Sequence, residues 1–505
     1  MSGKRVHFVG IGGAGMSALA VLWHDAGWRV SGTDRADSPV LEQLRGVGID
    51  ARWPHDGGAV ELVDLVVRSS AVPDSNAELA RARLLGIEII HRSEALARVV
   101  RGNVLVAVSG THGKTTTSAM TVNALVTAGW DPSYAIGGEL VEGGTGAHTG
   151  GGGVAVIEAD ESDGTFVAYE PDVAVITNVE PDHLDHHGSA EAFRLAFERF
   201  VATIKRGGVL VACADDPAAA GIADGVGRGG AGGAGGAVGA GGAVGAGGAV
   251  GAGALVSRGD LSVVTYGFEA NAQVRLRSLP SERGRERVEI ALPEGPPVVL
   301  RLPSPGRHVA LDAAAALLAS SAAIRLASES GEVDLDALVS GLEEYRGTRR
   351  RFEDHGSPRG VRLIEDYAHH PTEIRRTLEA ARSIAPPGGR ILVVFQPHLY
   401  SRTRDLADEF AEALSMADAV GVMDVYAARQ EPIPGVDGAL IASRLDSAVH
   451  LPDWDEVPRR LAAWARPGDI VLVLGAGDIT TLVPAIFAAL DTPHDAAPSP
   501  RGEVQ

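Results

Sequence analysis

The sequence predicts an α/β protein with three domains, each built on a mainly parallel sheet. Short apolar segments of strand length alternate with helical segments along most of the chain, an order typical of parallel sheets covered by helices. A length of 505 residues is enough for about three domains of ordinary size. Polar or glycine-rich turns follow several of the predicted strands, at the positions where such sheets bind ligands.

The first predicted domain covers residues 1–101. Its expected elements are strands at 5–9, 28–33, 62–69 and 86–90 and a helix at 16–26. The turn Gly10-Ile11-Gly12-Gly13-Ala14-Gly15 matches the G-x-G-x-x-G pattern of a Rossmann-like domain, in which glycines let the backbone approach a diphosphate. Asp34 follows the next strand, where a carboxylate can bond ribose hydroxyls. NAD and a UDP-sugar fit these features equally well, and a tight turn without a ligand is the remaining alternative.

The second predicted domain covers residues 102–325. Its expected elements are strands at 103–109, 153–157, 172–177 and 208–213 and a helix at 190–204. The first of these strands leads into Gly110-Thr111-His112-Gly113-Lys114-Thr115-Thr116, which predicts a P-loop although Val108 replaces the first glycine of the strict pattern. Backbone N–H groups of such a loop cradle phosphates, Lys114 would meet the β and γ oxygens, and the Thr115 hydroxyl would face Mg²⁺.

Two polar segments follow later strands of this domain. Glu158-Ala-Asp-Glu-Ser-Asp163 offers carboxylates, which are the oxygen ligands that Mg²⁺ prefers. Asp182-His183-Leu-Asp-His186-His187 could suggest zinc, but it contains no cysteine and lacks the H-E-x-x-H spacing. A second Mg²⁺ or hydrogen bonds to phosphate are the simpler interpretation, and His186 and His187 could equally be exposed loop residues.

The third predicted domain covers residues 326–491 and is again Rossmann-like. Its expected elements are strands at 361–365, 390–395, 419–423 and 469–474 and helices at 372–384 and 406–414. A Gly/Ala-rich tract near residues 225–254 predicts a surface insertion in the second domain, because Gly and Ala bury too little to offset the entropy of ordering. Residues 492–505 are expected to form a disordered tail.

Composition excludes several classes of protein. The formal net charge is −20, which argues against a dedicated nucleic-acid binder. One cysteine excludes an intrachain disulfide framework and a zinc site built from thiolates. The N-terminus does not read as a signal peptide, and no uninterrupted apolar run of about 20 residues predicts a spanning helix. A cytoplasmic protein that is a monomer or a homodimer is expected.

Taken together, these motifs resemble those of the Mur ligase family, the ATP-dependent amide-forming enzymes of peptidoglycan precursor synthesis. The segments that carry the resemblance are Gly110–Thr116, Glu158–Asp163, Asn178–His183, Pro305-Gly-Arg-His308, Arg349-Arg-Arg351-Phe352, and Glu365-Asp366-Tyr367-Ala-His369-His370-Pro-Thr-Glu373. The resemblance covers nearly the whole chain, except for the Gly/Ala tract and the tail.

Within the family, three segments are most similar to the alanine-adding member. They are Gly10 to Met16 near the N-terminus, Glu365 to Glu373, and Phe395-Gln-Pro-His398. This implies the substrates UDP-N-acetylmuramate, L-alanine and ATP, an acyl-phosphate intermediate, two Mg²⁺ ions and closure of the domains. The murein-recycling tripeptide ligase is the nearest alternative. An NAD-dependent oxidoreductase would leave the P-loop without a purpose, and a nucleotide-dependent switch would need only that loop.

The resemblance also implies roles for individual residues. The residues expected to bind UDP-N-acetylmuramate or alanine are Gly10, Gly12, Gly13, Ala14, Gly15, Met16, Asp34, Ser69, Ser70, His91, Tyr367 and His369. The residues expected to bind ATP are Gly110, Thr111, His112, Gly113, Lys114, Thr115, Thr116, His308 and Asp366. Thr115, Glu158 and His183 are the expected metal ligands. The expected catalytic residues are Lys114, His183, Arg351, His369, His370 and Arg402.

Two positions depart from the family pattern. Asp312 stands where the family usually has asparagine, and Leu399 stands where many members have arginine, so Arg402 or Arg404 is expected to carry more of the anion binding. Some sister ligases bridge two Mg²⁺ ions with a carbamylated lysine. No lysine lies between Lys114 and Lys205, so this device is not expected here.

Overall fold

The computed structural model describes residues 3–141, 146–227, 259–282, 285–293, 295–428 and 430–492. The predicted Gly/Ala tract lies outside these ranges apart from its first three residues, and the predicted tail lies outside them apart from Thr492. The chain divides into two compact units. The first unit comprises Met1–Leu279, Arg287–Arg301 and Ala310–Tyr345, and the second comprises Pro280–Glu286, Leu302–Val309 and Arg346–Gln505.

The N-terminal sheet of the first unit has five strands, all parallel, in the order β3-β2-β1-β4-β5. The strands are β1 (Arg5–Val9), β2 (Arg29–Thr33), β3 (Asp50–Arg52), β4 (Leu65–Arg68) and β5 (Glu88–His91). The helices are α1 (Ala14–Asp25), α2 (Pro39–Gly46), α3 (Ala77–Leu85) and α4 (Arg92–Val99). Val6 and Phe8 of β1 are fully buried in one apolar cluster and Val9 in another, because helices cover both faces of the sheet.

A second sheet of ten strands has the order β15-β14-β13-β12-β11-β10-β6-β9-β7-β8. Its strands are β6 (Val104–Ser109), β7 (Ser133–Ala135), β8 (Ala147–His148), β9 (Val154–Glu158), β10 (Val173–Ile176), β11 (Val209–Cys213), β12 (Ser262–Gly267), β13 (Val274–Glu282), β14 (Arg285–Ala291) and β15 (Val298–Leu302). The accompanying helices are α5 (Lys114–Thr127), α6 (Leu184–His187), α7 (Ala190–Ala202), α8 (Pro217–Gly227), α9 (Arg307–Ala327) and α10 (Leu335–Glu344). Strand β6 lies between β10 and β9 and is parallel to both, so the three segments that follow these strands emerge at one edge.

Helix α9 is the one described helix whose length and composition would allow it to cross a membrane. Its mean hydropathy is 1.6 over the most apolar window, and 72% of that window is buried inside the protein. The alanines of α9 from Ala313 to Ala316 are fully buried. A core helix passes the same test of length and apolarity, and this burial indicates that α9 is one.

The sheet of the second unit has six strands in the order β16-β17-β21-β18-β19-β20. They are β16 (Glu353–Gly356), β17 (Arg362–Asp366), β18 (Ile391–Phe395), β19 (Ala419–Val422), β20 (Ala448–His450) and β21 (Ile470–Leu474). The helices are α11 (Pro371–Ile384), α12 (Tyr400–Asp405), α13 (Ala407–Leu414), α14 (Ala439–Ala442), α15 (Glu456–Trp464) and α16 (Val483–Asp491). Only β16 pairs antiparallel among the described strands of this sheet.

The three mainly parallel sheets confirm the predicted fold class, while the predicted domain bounds stay a prediction. The strands that the sequence did not predict are either short or exposed on one face. Strand β8 has two residues, and β14 alternates buried with more exposed side chains instead of forming an apolar run. Such segments lack the continuous apolar signal of strands buried on both faces.

Candidate active site

The phosphate loop connects the end of β6 to the start of α5, and two of its glycines are required by the backbone. Gly110 has a φ of +140°, and a β-carbon there would overlap the Thr177 hydroxyl. Gly113 has a φ of +81°, and a β-carbon there would lie 2.5 Å from Asp312 Oδ1. Both conformations favour glycine, and both close approaches exclude a side chain. The sequence G-T-H-G-K-T-T therefore determines the shape of this loop.

Lys114 begins α5, and its ammonium group folds back over the loop. Its Nζ donates to the carbonyl oxygens of Gly110 at 2.6 Å and Thr111 at 3.1 Å, and it lies 2.9 Å from Glu161 Oε2. Burial opposes the charge on Lys114, but Glu161 and neighbouring carboxylates raise its pKa above the ordinary value. Burial, with Asp160 nearby, raises the pKa of Glu161 to about 7 although Lys114 opposes the shift. The three ammonium donors are thus all in use.

Thr115 and Glu158, two of the three predicted metal ligands, are in direct contact. The Thr115 hydroxyl donates to Glu158 Oε2 at 2.9 Å, and the backbone N–H of Gly137 donates to the same oxygen at 2.7 Å. Glu158 ends β9 and Thr115 follows β6, so their contact results from the pairing of these two parallel strands. A hydroxyl and a carboxylate side by side are hard oxygen donors, and this donor set fits Mg²⁺.

The segment after β10 holds the phosphate loop from its other side. Thr177 Oγ1 donates to the carbonyl of His112 at 2.6 Å, and Asn178 Oδ1 accepts from the N–H of His112 at 2.9 Å. Thr111 Oγ1 donates to the carbonyl of Glu180 at 2.7 Å. The predicted P-loop and this segment therefore form one hydrogen-bonded group.

The histidines of this segment have different surroundings. His183 has a φ of +52° at the start of α6, and its Nε2 lies 3.6 Å from Asp182 Oδ2. His187 Nε2 lies 2.9 Å from the carbonyl oxygen of Glu161, so it is tied to the acidic turn, while His186 is exposed. The assignment of His183 to a metal stays a prediction.

The glycine turn of the N-terminal sheet is shaped by Asp34. The N–H of Gly12 donates to Asp34 Oδ2 at 2.8 Å, and a β-carbon at Gly12 would lie 2.9 Å from that oxygen. Asp34 Oδ1 accepts from the N–H of Arg35 at 2.7 Å. Met16 in the first turn of α1 is buried. The carboxylate predicted to meet a ribose thus also holds the turn predicted to meet the diphosphate.

Two predicted substrate residues, Ser70 and His91, meet the acidic turn that follows β9. Ser70 Oγ donates to Asp163 Oδ2 at 2.6 Å and lies 3.0 Å from His91 Nε2. His91 also caps α4 through Nδ1. Ser69 follows β4 and uses its carbonyl to accept from the N–H of Val72. The acidic turn therefore connects residues of both sheets of the first unit.

The sequence analysis did not assign two residues of this region. Glu161 lies in the acidic turn and is the carboxylate partner of Lys114. Arg92 directly follows His91, and its Nη2 lies 2.7 Å from Asp160 Oδ2 and 3.2 Å from Asp163 Oδ2. A carboxylate near the P-loop lysine could have been suspected from the acidic motif, whereas nothing in the local sequence marks Arg92.

In the second unit, Asp366 at the end of β17 holds a strained turn. Asp366 Oδ2 accepts from the N–H of Phe352 at 2.8 Å, and Oδ1 accepts from the N–H of Ala368. Both Arg350 and Phe352 have positive φ values, of +61° and +51°. Burial raises the pKa of Asp366 to about 6 although Arg351 opposes this shift.

The three consecutive arginines have different environments. Arg350 Nε lies 3.1 Å from Glu365 Oε1, and its Nη2 donates to the carbonyls of Gly475 and Gly477. The guanidinium groups of Arg350 and Arg351 each lie 4.8 Å from the centre of the Tyr367 ring. Arg349 is exposed and lies 3.7 Å from Glu353. Arg350 therefore has a structural role, and the choice of Arg351 for phosphate stays a prediction.

Among the remaining candidates, His370 is the N-cap of α11. Its side chain accepts from the N–H of Thr372, and Glu373 completes a capping box. His369 packs against the Tyr367 ring, and its Nδ1 lies 3.2 Å from Glu373 Oε2. Helix capping gives His370 a structural role, and the catalytic roles of His369 and His370 stay predictions.

The last three candidates differ in burial. Arg402 in α12 is buried, while Arg404 is exposed and pairs with Asp405. His308 begins α9 beside Gly306, and burial lowers its pKa to about 4, with Arg376 adding to the shift. The described residues thus contain two groups of candidates, one in each unit. Asp312, which replaces the usual asparagine, accepts from Thr117 Oγ1 at 3.2 Å beside Gly113 in the first unit.

Comparison with known proteins agrees with these motifs. Three family models match the chain: "Mur ligase family, catalytic domain" over residues 5–103, "Mur ligase middle domain" over 108–228 and "Mur ligase, glutamate ligase domain" over 350–477. The UDP-N-acetylmuramate–L-alanine ligase of Kineococcus radiotolerans is 49% identical, with 96% of each chain covered. The ligase of the same name from Mycolicibacterium vanbaalenii is 44% identical, covering 97% of this chain and 96% of its relative.

Solved structures show the same architecture. The crystal structure of the UDP-N-acetylmuramate–alanine ligase from Thermotoga maritima matches with a TM-score of 0.74 and 29% identity, covering 97% of this chain and 99% of that one. A murein peptide ligase from Psychrobacter arcticus matches with a TM-score of 0.67 at 20% identity, which shows the fold alone. The family models, the full-length relatives and the site geometry lead to one conclusion: this chain belongs to the Mur ligase family.

Proposed function

We propose that this protein joins L-alanine to the lactyl carboxylate of UDP-N-acetylmuramate with hydrolysis of ATP to ADP and phosphate, in peptidoglycan precursor synthesis. The observation that carries the catalytic part of the proposal is the contact of Thr115 with Glu158 beside the phosphate loop and Lys114. The choice of alanine rests on the relatives at 44–49% identity, whose names specify that amino acid. The N-terminal glycine turn then binds UDP and not NAD.

The chemistry requires activation of a carboxylate. The lactyl carboxylate attacks the γ-phosphorus of ATP, which gives an acyl phosphate and ADP. The alanine amine then attacks the acyl carbon and forms the C–N bond, its nitrogen loses a proton, and inorganic phosphate leaves with the electron pair of the C–O bond that breaks. Phosphoryl transfer of this kind depends mainly on charge neutralisation and alignment of the reacting atoms.

The residues of the first unit provide both functions. Lys114 turns from the carbonyls of Gly110 and Thr111 to the phosphate oxygens, while Glu161 keeps its ammonium group beside the loop. Thr115 and Glu158 provide the oxygen ligands for Mg²⁺, which would neutralise phosphate charge when bound. His183 is our candidate ligand for a second ion.

The roles in the second unit rest on the family resemblance. Asp366 is assigned to the ATP ribose and His308 to the adenine side. Arg351 is assigned to phosphate, and His369, His370 and Arg402 to alanine and the acyl phosphate. A cytoplasmic location and a monomeric or homodimeric state also stay predictions.

An assay of phosphate release tests the proposal. The protein is incubated with ATP, Mg²⁺ and UDP-N-acetylmuramate, and alanine, glycine, serine or the tripeptide L-alanyl-γ-D-glutamyl-meso-diaminopimelate is added in turn. We expect release above background with alanine, and mass spectrometry should detect the amide product. Release that depends on the tripeptide alone would assign the chain to the recycling reaction, and no release with any of them would contradict the proposal.

A further inference from the structure

Arg92 is a mostly buried cation that lies between the two sheets of the first unit. It is the first residue of α4, and its side chain is 22% exposed. Its Nη2 lies 2.7 Å from Asp160 Oδ2 and 3.2 Å from Asp163 Oδ2. Two carboxylates on one guanidinium nitrogen balance its charge and fix the plane of the group, because the guanidinium is a rigid fork of donors.

These contacts use only one of the three guanidinium nitrogens. Among the residues that the structure describes, neither Nε nor Nη1 of Arg92 makes a hydrogen bond. Nη1 lies over the glycine turn, 3.2 Å from the place that a β-carbon on Gly15 would occupy. Nη1 is therefore an available donor on the side of the guanidinium that approaches Gly15.

The carboxylate partners of Arg92 are themselves held by hydrogen bonds, which fixes the position of the guanidinium. Asp163 accepts from Ser70 Oγ at 2.6 Å, and Ser70 in turn contacts His91, the residue before Arg92. The carboxylates that hold Arg92 are thus held themselves, and the guanidinium cannot rotate without breaking this network. Such an arrangement is expected of a group that must present donors in one direction.

We propose that Arg92 binds the diphosphate of the nucleotide substrate through Nη1, with Asp160 and Asp163 as its positioning residues. The inference rests on the proposed function, which places a UDP-sugar at the glycine turn. Phosphate oxygens accept charge-assisted hydrogen bonds from a guanidinium, and arginine is well suited to this contact. The proposal also explains the glycine at position 15, because any larger residue there would press against the guanidinium.

The test measures affinity for UDP and for uridine, which lacks the phosphates, by ligand-observed NMR titration without ATP. Arg92→Lys keeps a positive charge beside Asp160 and Asp163 but loses the planar fork, and Arg92→Ala removes both. Arg98→Ala is the control, because Arg98 lies on the same helix and pairs with Glu88 and Glu94. Thermal unfolding of each variant checks that the first unit is folded.

We expect each Arg92 variant to weaken UDP binding about tenfold or more and uridine binding less than about twofold, as loss of a charged hydrogen bond to phosphate predicts. The Arg98 control should bind both ligands like the parent. Equal losses for UDP and uridine, or no loss in folded Arg92→Lys, would overturn the role of Arg92. Absence of UDP binding by the parent protein would overturn the proposed function itself and this inference with it.

Discussion

Lys114 links the structure of the phosphate loop to the proposed reaction. Its three donors contact Gly110, Thr111 and Glu161, so phosphate binding must replace the two carbonyl contacts. The exchange is favourable because a phosphate oxygen carries more negative charge than a carbonyl oxygen. Glu161 stays beside Lys114 during the exchange, and because burial raises its pKa to about 7, this carboxyl group is only partly ionised near neutral pH.

Replacing Lys114 with alanine is expected to abolish phosphate release that depends on alanine. Removal of the ammonium group takes away the positive charge that would stabilise the transferred phosphoryl group. The matched control is Lys205→Ala, since Lys205 is half exposed and pairs with Asp172 on the surface. Phosphate release and circular dichroism are measured for both variants. Full activity in a folded Lys114→Ala protein would refute the role of this residue.

Replacing Glu158 with alanine is expected to shift the Mg²⁺ titration of activity. The variant loses the carboxylate beside Thr115, so half-maximal activity should require at least about tenfold more Mg²⁺, and maximal activity should fall. Glu191→Ala removes an exposed carboxylate of α7 and serves as the control. An Mg²⁺ titration identical to that of the parent would remove Glu158 from the metal site.

The raised pKa of Asp366 predicts that the KM for ATP depends on pH. Burial raises its pKa to about 6, so it is ionised above that pH and becomes protonated as the pH falls through it. In its proposed role the ionised carboxylate would accept hydrogen bonds from ribose hydroxyls, so the KM for ATP should rise as the pH is lowered from 7 to 5. In Asp366→Asn the KM should be higher at pH 7 and change little with pH. A variant that keeps the pH profile of the parent would contradict this assignment.

At the scale of elements, the phosphate loop depends on parallel strands that end at the same edge. Strands β10, β6 and β9 are adjacent. Thr177 and Lys114 follow β10 and β6, and Glu158 is the last residue of β9. The loop itself allows no side chain at Gly113, because a β-carbon would lie 2.5 Å from Asp312 Oδ1. Backbone conformation and packing thus both limit this position.

Gly113→Ala is expected to lower the melting temperature by several degrees and to weaken ATP binding about tenfold or more. The control is Gly129→Ala at the other end of α5, where φ is +82° but no atom lies within 4 Å of the added carbon. The Gly129→Ala variant has the strain of a positive φ but no steric overlap, so it should bind ATP like the parent protein. Calorimetry and ATP titration compare the two variants, and equal effects on ATP binding would contradict a special role for Gly113.

At the scale of the whole molecule, deleting part of the Gly/Ala tract tests whether this segment contributes to activity or stability. The segment Gly235–Ala252 lies outside the described residues and repeats a composition that offers little apolar surface to bury. Removing residues 235–252 is expected to leave kcat and the KM values of all three substrates within about twofold of the parent, and the melting temperature within about one degree. A large loss of activity or stability would show that the tract has a role that its composition does not predict.

The sequence alone determined the fold class, the positions of the main strands along the chain and the motifs that follow them. These features are local. Strands such as β6 and β18 are continuous apolar runs, and the segment Gly110–Thr116 has glycines at the positions where its backbone needs a positive φ. Local patterns cannot show which distant side chains meet. The pairing of Lys114 with Glu161 and the contacts of Arg92 with Asp160 and Asp163 were decided by the tertiary structure. The physical reason is that these contacts depend on strand order and packing, which bring residues far apart in the chain within hydrogen-bond distance.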